Sequence, residues 1–382
     1  MRTGLSQSGM ESGRRSEHYR ERTELSSARR DKQQMVRPCS LSDSGAVLIH
    51  NQHGAHIDSL HIQSRDASAP ALHCRYSKNV RLRRLLVEHH PNGVGILFEH
   101  CHNISIKEVV VVARRKTTGD SERAHPSKCS LTPGPRILFR ECDNIHGLGS
   151  EGALIERVRV QGGASGIELH SCPKARLRSI SALNMRGPYP RGQCVQFSLS
   201  DKSSLSDFYC KNDENSSWPE DSISVWRSAE ATVRNGLVDG NNAPNGIGVM
   251  FENDKAGAIG GLIQDVDAVR MGGGCFSGYP ATNLRMLRVR CGFNHCGGWG
   301  GRSKPNSGGQ MWAAGSSKDG MKSSGITVES SQYWKPCNKE KRPTWSPEGS
   351  SGFEKANIEE ASFKPRKPPA ASMRMCWERD SE

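Results

Sequence analysis

A chain of 382 residues with 40 glycines and a net charge of +13 is long enough for one elongated repeat domain or two globular ones, and basic enough to attract a polyanion. It has no zinc-finger spacing, no basic helix followed by heptads and no aromatic RNA-binding signature, so the common nucleic-acid modules are excluded and an acidic polysaccharide is the better polyanionic partner. No run approaches the ~20 apolar residues of a membrane span and the chain opens on no apolar signal core, so no membrane partner is expected and the localisation stays open.

Residues 1–40 are rich in Arg and Ser, with Arg14-Arg15, Arg20, Arg22 and Arg29-Arg30, and read as a disordered basic tail. Glu11, Glu17, Glu21 and Glu24 argue against a transit peptide. Residues 41–332 carry an internal repeat. Phe98-Glu-His-Cys101-His-Asn103-Ile104 recurs as Phe139-Arg-Glu-Cys142-Asp-Asn144-Ile145, and more loosely from Leu169 to Ala175 and from Val225 to Ala231. Each copy leads into an alternating apolar run, such as Ile104-Ser-Ile106 or Leu177-Arg-Ser-Ile180. Strand, short polar turn, second strand and longer loop make a coil of 24 to 28 residues (24 between Asn79 and Asn103), the size of a β-helix rung; the Leu-x-x-Leu-x-Leu signature of leucine-rich repeats is missing.

One rung cannot bury its own apolar face, so equivalent residues of successive rungs must stack. Phe98, Phe139, Leu169, Phe197, Val225 and Phe251 are expected to form one inward ladder. Cys101, Cys142 and Cys172 would form a second at the turn, and Asn79, Asn103 and Asn144 a third, since Asn tolerates left-handed backbone angles. The 13 cysteines are odd in number and lack a zinc framework, and several fall at repeat positions, so buried thiols acting as small hydrophobes are expected. Residues 114–135 and 296–325 read as inserted loops on one flank. Residues 333–382 lose the period and contain six prolines between Pro336 and Pro369, which suggests a C-terminal cap or an extended tail. The fold class expected is all-β, a right-handed parallel β-helix solenoid.

Roughly residues 45–330 resemble the pectin-lyase-like superfamily of right-handed parallel β-helices, which includes pectate lyases, polygalacturonases, alginate lyases, mannuronan epimerases and phage tailspikes. The resemblance implies a polysaccharide held along a groove on the outer face, and an extracellular setting. Pro219-Glu220-Asp221-Ser222-Ile223-Ser224-Val225 is similar to the Asp-Asp-x-Ile-x-Val rung of polygalacturonase-type hydrolases, with Glu220 in place of the first Asp. Asn245-Gly246-Ile247-Gly248-Val249 is similar to their Gly-His-Gly-Ile segment, with Asn245 at the His. The Asn-x-Asp and Arg-x-Lys elements of those enzymes are absent; Ser198-Leu199-Ser200-Asp201 and Cys275-Phe276-Ser277-Gly278 stand in their place. The Asp-Pro motif of the epimerases is absent too. No cofactor or metal site is assigned, and calcium is left open.

Reactive side chains concentrate in residues 218–302. Two carboxylates are needed to hydrolyse a glycosidic bond, and strands one rung apart bring residues to ~4.8 Å, so Asp221 with Glu252 or Asp254 is the candidate pair. A lyase or epimerase instead neutralises a uronate carboxylate and removes a proton; Arg270 and His295 are candidates, with Tyr279 and Arg302 as further ones. Substrate contacts are expected from Trp226, which should point outward if Val225 points inward, and from Glu220, Asn245, Trp299 and Arg302. Weighed against these roles, Asp221 and Asp239 are ordinary turn residues, Asp265 and Asp267 ordinary solvated ones, and His295-Cys296 too small a set for a metal. Two functions stay open: an enzyme of hydrolase, lyase or epimerase type on an acidic polysaccharide, and a non-catalytic polysaccharide-binding or protein-interaction β-helix.

Overall fold

The computed structural model describes residues 40–91, 93–114, 145–187, 192–213, 217, 219–241, 243, 246–253, 260–271, 273–292, 310–314, 321–333, 344–345 and 364–378. The chain is a parallel β-helix. Among the described residues, strands alternate between two sheets, an 11-stranded one of short strands and a 13-stranded one of longer strands. A coil consists of one short strand such as Ile167–His170 and one long strand such as Arg176–Leu183, and every pairing between coils is parallel.

The corners explain why the strand period repeats so faithfully. Left-handed residues recur as a triplet in five of the coils: Tyr76, Asn79 and Arg84; His100, Asn103 and Glu108; Ser171, Lys174 and Ser179; Leu199, Lys202 and Asp207; Arg227, Glu230 and Asn235. Such angles are unfavourable for L-residues, and stacking with neighbours holds them in place. Asn103 donates to the Asn79 side-chain oxygen at 2.6 Å, as the amide ladder requires. The segments from short to long strand are five residues each at 76–80, 100–104, 149–153, 171–175 and 199–203, four at 227–230 and 280–283 and eight at 253–260, whereas those from long to short strand vary far more, at 64–71, 90–95, 114–144, 184–194 and 212–222.

The core is a set of columns. Phe98, Leu169, Phe197, Val225 and Phe251 stand in one register and are all fully buried. Phe139 lies outside the described residues, and its expected place is held by Gly147, where a Cβ would meet the Phe98 ring at 2.4 Å. The Phe98 ring thus fills the space of two residues. The expected cysteine ladder is a mixed one. The Ser150 hydroxyl accepts the Cys101 amide at 3.0 Å, Ser200 accepts that of Cys172 at 2.9 Å, and Ser228 accepts that of Ser200 at 2.8 Å. Cys142 and Asn144 lie outside the described residues; Ser150 and the left-handed Gly152 occupy the corresponding turn. Each buried hydroxyl satisfies a backbone amide that would otherwise be stranded in the interior.

Cys74, Cys101 and Cys172 are buried free thiols, as expected of small hydrophobes. Two other pairs depart from that expectation: Cys194–Cys210 and Cys275–Cys291 are disulfides, each with a sequence separation of 16. Both join the start of a short strand to the long strand of the same coil. Closing a loop of that length stabilises by about 3 kcal/mol in the chain-entropy account.

Residues 364–378 return along the outside of the long-strand sheet as a strap. Arg366 donates to Asp267, which also holds Arg290 through a two-pronged pair of 2.9 and 2.5 Å. Further along, the Ala370 amide donates to Asp207 at 3.2 Å, Arg157 reaches the Arg374 carbonyl at 3.4 Å, and Arg159 pairs with Glu378. Asp267, expected to be solvated, is 0% exposed because the strap covers it. Asp239, expected in a turn, lies in the strand Ala231–Asn241 and pairs with Arg270.

Candidate functional site

On the short-strand sheet, alternation sends Leu169, Phe197, Val225 and Phe251 inward and their neighbours outward. One outward row runs His170, Ser198, Trp226, Glu252, Tyr279 on five consecutive coils. The adjacent outward row runs Glu168, Gln196, Ser224, Met250, Ser277. Trp226 and Glu252 are therefore side by side, one strand spacing apart, with Tyr279 next beyond. Both Trp226 and Glu252 are half-buried, and Tyr279 is exposed. The Arg227 guanidinium lies 4.1 Å from the centroid of the Trp226 ring, which orients the indole and occupies one of its faces. His170 and Ser198 share a 3.0 Å hydrogen bond.

Asp221 precedes the strand Ile223–Trp226 of the same sheet, is 4% exposed and accepts the Ile247 amide of the next coil at 2.9 Å. Burial pushes its carboxyl well above the usual carboxylate range, the charge of Glu252 and then that of Glu220 add to the rise, and the Ile247 amide opposes it. Asp221 and Glu252 thus belong to one electrostatic unit. Glu220 is half-buried, and its carbonyl accepts the Asn241 side chain at 2.7 Å. Gly246 keeps this corner compact: a Cβ there would come within 2.2 Å of the Glu220 carbonyl and 2.3 Å of Asn241.

A raised carboxyl has a definite signature in stability. As pH climbs above the ordinary Asp range, the unfolded chain releases the proton while the folded one keeps it, so wild-type stability falls with rising pH. Asp221→Asn keeps an oxygen for the Ile247 amide and removes the titration. Its stability relative to wild type is expected to be unchanged at low pH and to increase as pH rises, as measured by urea midpoints across a pH series; a constant difference would contradict the buried-carboxyl account.

Arg270 stands apart from this row. It lies at the end of Gly261–Met271 in the long-strand sheet, with Nε donating to Asp239 at 2.7 Å. Near it, the Tyr209 phenol is pushed upward by burial and by the Asp239 charge. Asp254, Asn245, His295, Trp299 and Arg302 lie outside the described residues. The two outward rows also contain residues not singled out in the sequence, namely His170 in one and Glu168 and Gln196 in the other. Applying to Ile167–His170 the same alternation that placed Trp226 outward finds all but Gln196. Among the described residues no group of three or more His, Cys, Asp or Glu is placed to hold a metal ion, and no helix is long and apolar enough to cross a membrane.

No protein-family model and no curated protein matches the sequence. Several solved structures are similar, among them the two that follow. The tailspike protein gp49 from Pseudomonas phage LKA1 aligns over 76% of this chain and 48% of its own, with a TM-score of 0.39 and 10% identity, so this chain spans about half its length. The A-module of the mannuronan C-5 epimerase AlgE4 from Azotobacter vinelandii aligns over 80% of this chain and 89% of its own, with a TM-score of 0.37 and 11% identity.

Proposed function

We propose that the protein acts on a polysaccharide laid along the outward face of the short-strand sheet, and that Asp221 and Glu252 are the acid pair for glycosidic cleavage. The observation that carries this is the in-register row of Trp226, Glu252 and Tyr279, a stacking ring, a carboxyl and a phenol on successive coils. An extended chain running along the solenoid axis meets the three in turn. Asp221, with its carboxyl held protonated above the usual range beside the charge of Glu252, has the character of a general acid. The pairing of Arg270 with Asp239 on the other sheet favours hydrolysis over uronate elimination or epimerisation. The net charge of +13 favours an acidic polymer. The disulfides Cys194–Cys210 and Cys275–Cys291 favour an oxidising compartment.

A non-catalytic binding protein is the second reading, favoured by the near-complete burial of Asp221 and its bond to the Ile247 amide. Reducing-end release from a panel of uronate polymers separates the two. Under the first reading, Glu252→Gln and Asp221→Asn lower the rate by ~10²-fold or more and retain binding, while Trp226→Ala weakens binding by about five- to tenfold, the worth of one aromatic contact. Binding without any product, unchanged in Glu252→Gln, selects the second. Neither product nor Trp226-dependent binding on any polymer of the panel would sink both.

A further inference from the structure

The strap does more than cross the coils. Between it and the long-strand sheet lies a cavity of about 720 Å³. Arg178, Ser206 and Arg234 stand in register on three consecutive coils of its floor, with Asn235 beside them, and Lys367, Pro368 and Pro369 of the strap form its roof. The acids at its rim are already engaged within the fold. Asp207 accepts the Ser179 hydroxyl at 2.6 Å and the Ala370 amide at 3.2 Å. Asp265 holds Arg288 through bonds of 2.7 and 2.6 Å and Arg366 at 3.3 Å. Among the described residues no acid pairs with the side chains of Arg178, Arg234 or Lys367. Three cations without an acid partner therefore face one concave space with a rigid Pro-Pro wall, against the single charge of Asp207, whose hydrogen bonds are to neutral donors.

We propose that this cavity is a second ligand site, separate from the short-strand face, which takes acidic sugar units by their carboxylates. The sugar class rests on the polysaccharide reading above; the preference for an anion rests on the cations alone. A guanidinium presents a planar fork that matches a carboxylate with two parallel hydrogen bonds. Arg178 and Arg234 are two strand spacings apart, about 9.6 Å along the solenoid, which suits carboxylates repeated along an extended chain better than a single small anion. Ser206 and Asn235 supply hydroxyl and amide groups between them. Lys367 belongs to the strap, so the site is complete only while the strap is docked, and a ligand there holds the strap down by mass action.

The test is calorimetric titration of the full chain with a short oligogalacturonate, an uncharged malto-oligosaccharide of equal length, and sulfate. Because Trp226 serves the other face, Trp226→Ala is compared with Trp226→Ala/Arg178→Ala/Arg234→Ala. Both arginines are exposed and unpaired, so their removal leaves the fold intact, which far-UV circular dichroism checks. The expected result is a loss of about tenfold or more in oligogalacturonate affinity in the triple variant, no binding of the uncharged sugar at this site, and protection of the strap from protease by the uronate in the single variant only. Equal affinity of the two variants for both uronate and sulfate overturns the site. Sulfate binding that depends on the two arginines, with no uronate bound by any variant, overturns the sugar class together with the polysaccharide reading and leaves an anion site standing.

Discussion

Gly236→Val should destabilise the protein by about 3 kcal/mol, at the upper end of what overpacking a core does. Gly236 pairs directly with Phe208 of the preceding coil, and a Cβ at 236 would fall 2.0 Å from Cε1 and 2.2 Å from Cζ of that ring. Phe208 is 1% exposed and has no room to withdraw. The effect would be read as a lower urea midpoint with an unchanged slope. Phe208→Ala alone is expected to cost about 3–5 kcal/mol through the cavity it leaves. In that background the valine has space, so its own penalty should shrink by more than half. Equal penalties in the two backgrounds would mean that the ring does not exclude the side chain.

Asp267→Ala is the second large effect, at about 3 kcal/mol, near the lower end for breaking a buried ion pair because both cationic partners keep some contact with water. Asp267 is fully buried and joins two distant parts of the chain, Arg290 of the next coil and Arg366 of the strap. Its loss should loosen the strap before the coils melt. Limited proteolysis is the direct readout: the variant should be cut near residue 366 at protease concentrations that leave the wild type intact. Asp267→Asn, which keeps one acceptor, should fall between the two. An uncut Asp267→Ala variant would show that Asp207 and Glu378 hold the strap without it.

The inward columns were legible in the sequence because alternation and coil stacking both act on residue type. Leu169, Phe197, Val225 and Phe251 needed only those two rules to be aligned with Phe98. The copy at Phe139, Cys142 and Asn144 lies outside the described residues. In the structure Gly147, Ser150 and Gly152 hold the corresponding places, and a glycine opposite a phenylalanine carries no apolar signal in a sequence even where it is the packing partner. The outward placement of Trp226 and its register with Glu252 were legible because both lie on strands. Arg270, a candidate for lyase or epimerase chemistry, lies on the long-strand sheet rather than beside Asp221, because closeness in sequence does not say which sheet of a coil a residue joins. The burial of Asp267 was hidden for a different reason: it depends on a segment roughly a hundred residues further along, as the 99-residue separation of its bond with Arg366 shows.

The constancy of one junction in the coils up to residue 203, and the variability of the other, has a bearing on engineering. Up to residue 203 the large differences in coil length, from the brief link at 162–166 to the long one at 114–144, enter along a single seam. Lengthening a flexible link twofold raises its closure free energy by only ~0.6 kcal/mol. Foreign peptides grafted into that seam should therefore be carried without loss of folding, and the scaffold can exchange what it displays while its coil-to-coil hydrogen bonding stays as it is.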